Sequence, residues 1–445
     1  MLTGWGRTVP TGAEVVHPAF DHELTGAVHD VPDRGVIARG LGRSYGDAAQ
    51  NAGGRVVDLT QLDQVALDPA TGLVTAQAGT SLDTLMRLLV PRGWFVPVTP
   101  GTRQVTVGGA VAADIHGKDH HRSGSWCQHV TRLGLLLPSG DRVEVGPDDD
   151  PELFWATAGG LGLTGIVTDA TFRCPPIETS RLVIDTDRCA DLDEVMALLA
   201  EGEAHHPYSV AWIDLLATGR ALGRSVLTQG RFATLDELDG AAAADPLAFA
   251  PLPAVPAPPW VPAGLLNRAS ILAFNELWFR RAPARRRHEL QTIGQFFHPL
   301  DLVSGWNRLY GRPGFLQWQV VVPDGAEATL RLAVERLARS GASSFLAVLK
   351  RFGPADPGPL SFPMAGWTLA LDLPIGGAAL GPLLDELDRA VADAGGRAYL
   401  AKDSRLPPEL VPAMYPRLDE WQAVRRRVDP GGVLRSDLSR RLGLG

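Results

Sequence analysis

Short runs of apolar residues, separated by glycine-rich turns, dominate the chain from about residue 34 onward. Residues 36–38, 56–59, 65–67 and 73–77 have the composition of β-strands between turn residues. Ser81 then begins an amphipathic helix that Gly93 ends, and its apolar face is formed by Leu82, Leu85, Met86 and Leu89. This pattern predicts that residues 1–180 form an α+β domain.

A different pattern governs residues 181–396. It predicts, in order, a strand at 315–322, a helix at 326–339, strands at 344–350 and 366–373, a helix at 379–394 and a strand at 397–401. That β-α-β-β-α-β order is typical of an antiparallel, ferredoxin-like sheet with helices on one face. We therefore expect a second, substrate-binding domain at 181–396 and a C-terminal segment, 397–445, that returns to the first domain. No internal repeat is visible in the sequence.

Composition narrows the function classes. The chain has 445 residues, of which 45% are hydrophobic and 21% are charged, as in ordinary globular proteins. Its net charge of −8 disfavours a nucleic-acid partner, and its 3 cysteines are too few for a disulfide framework or a CxxC site. Neither a signal peptide nor a run of about 18 apolar residues is present, so we expect a soluble or peripheral protein.

The glycine-rich string RGLGRSYGD, residues 39–47, is the strongest local signal. A strand enters it, and Gly40, Gly42 and Gly46 let the backbone approach a ligand closely. Successive amide groups in such a turn form a nest for phosphate oxygens. The spacing is not that of a Rossmann fingerprint, and for this loop alone a tight strand turn is the better explanation of the glycines.

Two further glycine loops strengthen the phosphate interpretation. Residues 100–121, PGTRQVTVGGAVAADIHGKDHH, bring the hydroxyls of Thr102 and Thr106 and end in a stretch containing His116 and Lys118; residues 159–165, GGLGLTG, form the third loop. Three such loops suit a dinucleotide whose pyrophosphate is held by backbone amides. The alternative, a metal bound by His116 and His120, has no HExxH pattern or third ligand, so no metal is predicted.

These loops, with the strings DIHGK, ELFWAT, SFPMAGW, AKDSR and MYPRLDEWQAVRRRVDP, resemble the vanillyl-alcohol oxidase superfamily, and within it the decaprenylphosphoryl-β-D-ribose 2-oxidase family of actinobacterial arabinan synthesis. The resemblance extends from GWGRT at Gly4 to the C-terminal helix. It implies a two-part FAD-binding domain and oxidation of the ribose 2-hydroxyl of a polyprenyl-phosphoryl sugar to the 2-keto sugar. It also implies quinone or oxygen as electron acceptor, and a partner NAD-dependent keto-reductase that completes epimerisation to the arabinose donor for cell-wall arabinan.

The resemblance also assigns the site residues. The implied FAD contacts are Ala38, Arg39, Gly40, Leu41, Gly42, Arg43, Ser44, Tyr45, Gly46, Asp47, Ala48, Gly101, Thr106, Val107, Gly108, Gly109, Ala113, Asp114, Ile115, His116, Val167 and Tyr399. The implied substrate contacts are Lys118, Trp212, Gln317, Gln319, Lys350, Asp372 and Ala370, and the implied catalytic residues are Lys402, Tyr45 and His116. Several superfamily members attach the flavin to a histidine of the first loop; Arg43 stands at that place here, which implies noncovalent FAD.

Lys402 is the first candidate for the general base, because a lysine that desolvation makes less basic can remove a hydroxyl proton. Its alternative is a surface lysine paired with Asp403. Lys118 and His116 could orient the sugar or bind its phosphate. Ala370, Phe297 and Thr368 replace a cysteine, a tyrosine and an asparagine of the mycobacterial pattern, and the exact sugar therefore stays open.

Alternatives to the lipid-linked substrate are an oxidase of a soluble sugar, alditol or nucleoside and a flavin-free binding protein of the same fold. Location at the plasma membrane as a peripheral protein is expected, with the cytoplasmic face favoured by the sequence and the periplasmic face possible by family. Residues 246–262 are proline-rich and are expected to lack regular structure; with apolar residues 271–279 and the arginines at 280, 281 and 285–287 they suggest a membrane-facing lid. The alternative is a surface loop followed by a solvated basic helix.

Overall fold

Strands of the first 180 residues form two sheets in the computed structural model, which describes every residue except 259, 260, 262, 263, 265, 342, 343, 377 and 378. Trp260 and Pro262, at the end of the proline-rich stretch, lie outside the described residues. The first sheet is parallel, with its strands in the order Glu14–Val16, Arg55–Asp58 and Val36–Arg39. The second is antiparallel, in the order Val65–Asp68, Leu73–Gln77, Ile166–Arg173, Val130–Leu136 and Arg142–Val145.

The helices of this part follow the predicted signals. Ser81 caps the helix Leu82–Leu89 by accepting a hydrogen bond from the amide of Thr84, and the predicted apolar face of that helix is buried. Thr106 caps the short helix Val107–Ala112 in the same way, through the amide of Gly109. The remaining α-helices before residue 180 are Leu24–Ala27, His120–Ser123 and Pro151–Thr157.

An eight-stranded antiparallel sheet forms most of the rest of the chain. Its order is Arg285–Thr292, Arg181–Cys189, Ser225–Phe232, Tyr208–Ile213, Ala347–Phe352, Gly366–Pro374, Phe315–Pro323 and Arg397–Ala398. The predicted ferredoxin-like unit is its second half, completed by the helices Glu327–Ser340 and Leu380–Asp393. The last predicted strand is shorter than expected, because the amide of Lys402 turns back to the carbonyl of Tyr399.

The first half of this sheet repeats the same architecture, which the sequence did not reveal. Strand Arg181–Cys189, helix Leu192–Gly202, strands Tyr208–Ile213 and Ser225–Phe232, helix Arg268–Arg281 and strand Arg285–Thr292 again give the order β-α-β-β-α-β. The two units join edge to edge, where Ala211 faces Leu349 and Trp212 faces Val348. The sequence shows no internal repeat because the two units share their topology rather than their residues.

The C-terminal segment contacts the first 180 residues. Its helices are Val411–Met414, Leu418–Val428 and Asp437–Leu442. Trp421 donates its indole N–H to the carbonyl of Ala156 at 3.0 Å, and Arg441 donates to both carboxylate oxygens of Asp47 at 2.8 and 3.0 Å. These contacts agree with a segment that returns to the first part, whereas the boundaries at residues 180 and 396 stay predictions.

Two shorter helices and a small sheet complete the described fold: Gly240–Ala244, Ile293–Phe297, and the paired strands Val255–Pro256 and Val303–Ser304. Apart from that two-residue strand, the described part of the proline-rich stretch carries no helix or strand, as predicted. Within the described residues, no helix is long and apolar enough to cross a membrane.

Candidate active site

A cavity of about 610 Å³ lies between the glycine loops and one face of the large sheet. This volume is in the range of sites that enclose cofactors and small ligands. Alternate residues along a strand, and residues paired across neighbouring strands, lie on the same face of a sheet. Gln317 pairs with Asp372, Gln319 with Ala370, and Val348 with Ala370, so the side chains that the sheet contributes to the cavity share one face. The opposite wall is formed by the first 180 residues, so the cavity joins the two parts of the fold.

The three glycine loops converge on this cavity. A Cβ atom at Gly40 would lie 2.2 Å from the Thr106 hydroxyl oxygen, and one at Gly108 would lie 2.9 Å from the Cβ of Ala78. Gly42 adopts a left-handed conformation with φ of 64°. Only glycine fits these positions without displacing a neighbour, and together they leave a cradle of backbone that suits a dinucleotide.

Most residues assigned by resemblance do line the cavity. Those that do are Ala38, Arg39, Gly40, Leu41, Gly42, Arg43, Ser44, Tyr45, Ala48, Gly101, Thr106, Gly108, Gly109, Ala113, Ile115, His116, Val167 and Tyr399 on the loop side, and Lys118, Trp212, Gln317, Gln319, Lys350, Ala370 and Lys402 on the other. Gly46, Asp47, Val107, Asp114 and Asp372 are absent from the lining. Asp47 pairs with Arg441, and Asp114 is buried behind the loop, where it accepts the Ser361 hydroxyl at 2.5 Å.

Lys402 lies inside the cavity rather than on the surface. Its Nζ atom is 4.0 Å from the centre of the Tyr45 ring. Asp403, the partner expected in the alternative interpretation, instead binds Arg441 at 2.8 Å and accepts the backbone amides of Arg405 and Leu406. The surface-lysine alternative is therefore wrong.

Burial lowers the pKa of Lys402 to about 7, while the nearby Asp372 opposes the change and Lys350 adds to it. Burial raises the pKa of Asp372 to about 7, against the favourable effects of Gln317 and Lys402. Gln317 donates its amide to Asp372 Oδ1 at 2.6 Å, and Oδ2 is buried without a hydrogen-bond partner among the described residues. Lys402 and Asp372 thus form an electrostatically coupled pair whose protonation changes near neutral pH.

His116 is held between two polar side chains. The side-chain amide of Gln319 lies 3.0 Å from its Nε2 atom, and Nζ of Lys350 lies 3.3 Å from its Nδ1 atom. Burial, followed by the charge of Lys350, lowers the pKa of His116 well below its ordinary value, so the ring is neutral. Both contacts come from nitrogen atoms that can donate, the Gln319 amide nitrogen and Nζ of Lys350. A neutral ring accepts at only one of its nitrogens, so the choice between these two donors fixes the position of the ring proton.

Two more lysines complete the polar part of the cavity. Lys118 donates to the carbonyl of Phe296 and lies 4.0 Å from the centre of that ring; burial, followed by the charge of Lys350, lowers its pKa to about 7. Lys350 also donates to the carbonyl of Gly117 at 3.2 Å, and burial lowers its pKa to about 8. Burial therefore tunes all three lysines toward neutrality.

His120, considered above with His116 as a metal ligand, serves the fold. Its Nδ1 atom accepts the amide of Gly353 at 3.1 Å, and burial lowers its pKa to about 3. Across the described ranges, no group of three or more histidine, cysteine or acidic side chains is arranged to hold a metal ion.

The positions that depart from the mycobacterial pattern lie in or behind the cavity. Ala370 lines it, and Thr368 lies beneath, with its hydroxyl 3.4 Å from the Gln319 amide. Phe297 packs at 5.0 Å from the ring of Tyr208 and 5.5 Å from that of Phe95. The phenylalanine therefore belongs to a buried aromatic cluster at the cavity wall, where it replaces a tyrosine without leaving a hydroxyl to satisfy.

Several lining residues were not assigned from the sequence. Among them are Trp5, Trp278, Gln291, Gln295, Phe296, Pro299, Leu300 and Trp306, most of which are aromatic or apolar. Only Trp5, within the string GWGRT, and Trp278, within the apolar stretch 271–279, lay in segments that the sequence singled out. The others carry no local signal, because their role depends on the packing of segment 293–306 against the second glycine loop.

Comparisons with known proteins agree with this geometry. A family described as "FAD binding domain" matches residues 13–146, and one described as "D-arabinono-1,4-lactone oxidase" matches residues 379–442. An uncharacterised protein of Streptomyces coelicolor is 44% identical over 82% of this chain and 100% of its own length. A xylooligosaccharide oxidase of Thermothelomyces thermophilus is 30% identical over 38% of this chain and 36% of its own.

A decaprenylphosphoryl-β-D-ribose oxidase of Mycolicibacterium smegmatis is similar over the whole chain. It is 47% identical across 100% of this chain and 97% of its own length. Such identity over complete chains, with the matched FAD-binding domain and the glycine cradle, establishes both the cofactor and the oxidoreductase class. The chain therefore belongs to the decaprenylphosphoryl-β-D-ribose oxidase family of FAD-dependent enzymes.

Proposed function

We propose that this enzyme oxidises the ribose 2-hydroxyl of decaprenylphosphoryl-β-D-ribose, or a close polyprenyl analogue, to the 2-keto sugar. The observation that carries the proposal is the position of Lys402. A half-buried lysine whose pKa is lowered to about 7 faces the cavity that the FAD loops enclose. A base of that strength can accept an alcohol proton at physiological pH.

FAD, when bound, accepts the hydride from the sugar carbon. The chain's own residues would hold the sugar and move the hydroxyl proton. Lys402 would take that proton on Nζ, and the Asp372 carboxylate would stabilise the resulting ammonium. His116, fixed by Lys350 and Gln319, would present its ring at the same end of the cavity. The catalytic roles of Lys402, Tyr45 and His116 are part of this proposal.

The backbone cradle, rather than a covalent bond, would retain the cofactor. Arg43 occupies the loop position where a histidyl link would form, and a guanidinium cannot make it. Cys127 is the cysteine nearest the second loop in the sequence. It is only 1% exposed, and its Sγ atom points toward the carbonyl of Val111. None of the three cysteines lines the described cavity. We therefore propose noncovalent FAD.

The product and the electrons need two partners. A 2-keto sugar becomes an arabinose epimer only if its carbonyl is reduced from the other face, which requires an NAD-dependent keto-reductase. Reduced FAD must pass its electrons to quinone or oxygen. In this proposal the enzyme performs the first half of an epimerisation that supplies arabinose for cell-wall arabinan.

We also propose that the enzyme works at the surface of the plasma membrane. Exposed apolar side chains lie on helix Arg268–Arg281 and on the neighbouring segments: Leu252, Val255, Leu272, Phe274, Leu277, Trp278, Leu302 and Val303. Trp278 also lines the cavity, so this surface, the apolar rim, is continuous with the site. A polyprenyl chain leaving the cavity would meet apolar side chains rather than water.

The arginines after this helix support the membrane proposal less than the sequence suggested. Arg285 and Arg287 pair with Asp187 at 3.3 and 2.8 Å, and Arg286 pairs with Glu289 at 2.7 Å. Their charges are therefore largely matched within the chain. The apolar rim, rather than the arginine cluster, becomes the feature to test.

The decisive experiment is anaerobic stopped-flow reduction of the purified, FAD-loaded protein. Polyprenyl-phosphoryl ribose should bleach the flavin absorption, whereas free ribose, alditols and nucleosides should not at the same concentration. Reduction by a soluble sugar alone would favour the alternative oxidase. A colourless protein that does not take up FAD would contradict the assignment altogether.

A further inference from the structure

Arg43 is an arginine in the cavity wall whose guanidinium meets no acceptor in the part of the chain that the structure describes. Its guanidinium carbon lies 3.9 Å from the centre of the Trp5 ring, and its side chain lines the cavity. The Nε atom is buried and has no hydrogen-bond partner among the described residues. An unsatisfied buried donor of a charged group is costly unless a ligand supplies the acceptor.

The nearby acid does not fill this role. Asp301 is close enough to raise the pKa of Arg43, against the stronger opposite effect of burial. Its carboxylate, however, accepts the Thr102 hydroxyl at 2.6 Å and the Arg103 amide at 2.9 Å, and it lies 3.7 Å from the Arg103 guanidinium. Asp301 thus joins segment 299–302 to the second glycine loop, and no other described acid forms an ion pair with Arg43.

Most other cations of the cavity donate to acceptors of the chain. Lys118 donates to the carbonyl of Phe296 and Lys350 to that of Gly117, whereas Nζ of Lys402 lies against the ring of Tyr45 at 4.0 Å. Arg39, in the same loop as Arg43, donates to the carbonyls of Ala49 and Thr3 at 2.9 and 2.8 Å.

The lysines also carry less dependable charge. Burial lowers the pKa of Lys118 and Lys402 to about 7 and that of Lys350 to about 8. A guanidinium stays protonated at physiological pH even when burial lowers its pKa. Arg43 is therefore suited to bind a fixed anion, whereas the lysines are suited to exchange protons.

Arg43 could bind the pyrophosphate of FAD or the phosphate of the substrate, and its position along the first glycine loop, residues 39–47, distinguishes these two anions. Gly40, at one end, approaches Thr106 of the second glycine loop, where backbone amides surround the cradle. Arg43 lies toward the other end, next but one to Tyr45, whose ring contacts Nζ of Lys402. This order along the loop favours an anion at the proposed site of sugar oxidation, rather than the flavin pyrophosphate, as the ligand of Arg43.

We propose that Arg43, supported by Trp5, binds the phosphodiester of the polyprenyl-phosphoryl sugar and thereby selects lipid-phosphate-linked substrates. The proposal rests on the proposed function for the sugar, but its core is a phosphate site. The planar guanidinium can donate two parallel hydrogen bonds to phosphate oxygens, which a lysine cannot reproduce. Trp5 holds the plane of the guanidinium in place by stacking.

The test measures binding of farnesyl phosphate and of farnesol to the FAD-loaded protein by calorimetry. The variants are Arg43→Gln, Arg43→Lys and, as a matched control, Arg312→Gln, which removes an exposed arginine outside the cavity lining. Arg43→Gln should weaken farnesyl phosphate binding by about 10- to 100-fold, the range expected for a hydrogen-bonded charge. Farnesol binding should not change, Arg43→Lys should be intermediate, and Arg312→Gln should match the wild type.

A second titration separates the two phosphate sources. FAD is added to the apoprotein of each variant, and tryptophan quenching gives its dissociation constant. Unchanged FAD affinity with weakened farnesyl phosphate binding supports the substrate site. Weakened FAD binding with unchanged farnesyl phosphate binding would assign Arg43 to the cofactor and overturn the proposal, as would equal loss of farnesol and farnesyl phosphate or no change in either.

Failure of the proposed function would be visible separately. Wild-type enzyme that binds farnesyl phosphate through Arg43 but is not reduced by polyprenyl-phosphoryl ribose would retain the phosphate site and lose the sugar assignment. Should Arg43→Gln fold poorly, as judged by its thermal unfolding, Trp5→Leu provides the second variant. It leaves the charge in place, removes the stacking, and should weaken phosphate binding in the same direction but by less.

Discussion

The Nζ atom of Lys350 lies 3.3 Å from Nδ1 of His116, and the two residues come from opposite walls of the cavity. Lys350 is on the strand Ala347–Phe352, whereas His116 follows the second glycine loop. The resemblance assigned Lys350 to substrate binding. The contact instead suits a positioning residue that fixes which nitrogen of His116 carries the proton.

Replacing Lys350 should therefore disturb His116 before it disturbs substrate binding. In Lys350→Met the Nδ1 atom loses its donor, the proton can occupy either nitrogen, and we expect flavin reduction to slow by about 10- to 100-fold. Lys350→Arg keeps a donor and should recover part of the rate. Stopped-flow reduction at saturating substrate measures the effect, and a change confined to KM would return Lys350 to a substrate-binding role.

Lys402→Ala should leave FAD bound but slow substrate-dependent flavin reduction by about 100-fold or more, the usual scale for a lost general base. FAD affinity is the internal control, because the cradle does not depend on this side chain. Lys118→Ala should act mainly on substrate binding. Near-normal reduction in Lys402→Ala would remove Lys402 from the proposed mechanism.

The same lysine predicts a pH dependence. Proton acceptance requires the neutral amine, so the reduction rate should rise with pH through about 7, the pKa to which burial lowers Lys402. In Asp372→Asn the anion that favours the ammonium is gone, so the pKa of Lys402 should fall further and the rising limb should move to lower pH. If the reduction rate of Asp372→Asn rises over the same pH range as that of the wild type, Asp372 does not act on Lys402.

The extent to which sequence predicted this site differs between its parts. Strings such as RGLGRSYGD and YLAKDSR carry their glycines and lysine within a few residues, so the loops and Lys402 could be singled out before the fold was known. Contacts across the chain carried no such signal. The contact of Lys118 with Phe296 needs the two parts of the fold in place. The stacking of Arg43 on Trp5 and the pairing of Arg287 with Asp187 each join residues that are distant in the sequence of a single part.

The duplicated architecture shows the same limit. Periodicity predicted the second β-α-β-β-α-β unit because its strands and helices follow one another closely. In the first unit the residues between strand Ser225–Phe232 and helix Arg268–Arg281 include the proline-rich stretch. That insertion interrupts the spacing by which a repeat would be recognised, although the hydrogen-bonded order of the strands is the same.

Noncovalent FAD predicts a simple chemical result. Acid precipitation of the yellow protein should release the flavin into the supernatant, because neither Arg43 nor a buried cysteine provides a link. A covalently modified protein would give a yellow pellet, and its flavin peptide would identify the attachment residue. Denaturation in guanidinium followed by filtration provides a control for flavin trapped in the precipitate.

The buried carboxyl group of Asp356 predicts that the free energy of unfolding depends on pH. Burial, followed by the charge of Asp114, raises the pKa of Asp356 well above its usual value of 3.8. The unfolded chain releases this proton at lower pH than the folded one, so the protein should lose stability as pH rises above about 4. Asp356→Asn should flatten this dependence in urea unfolding between pH 5 and 8, whereas Asp63→Asn, at an exposed position, should not.

The last prediction concerns how a chain with a net charge of −8 reaches a lipid substrate. Leu277 is 67% exposed on helix Arg268–Arg281, one position before Trp278, which reaches the cavity. Placing a charge there should oppose insertion of the apolar rim among lipids, so Leu277→Asp should weaken cosedimentation with anionic vesicles by at least about tenfold. Leu235→Asp, at a leucine that is 54% exposed outside the rim, is the matched control and should bind as the wild type does.

The same cosedimentation experiment also tests the three arginines that follow helix Arg268–Arg281. Because Arg285, Arg286 and Arg287 are paired within the chain, their joint replacement by alanine should weaken vesicle binding less than the single Leu277→Asp change. High salt should likewise have a small effect, since screening acts on charges and not on apolar contacts. A large loss in the arginine variant with none in Leu277→Asp would reverse the assignment and make the membrane contact electrostatic. Absence of binding by the wild type would refute the membrane role and favour a substrate delivered in solution.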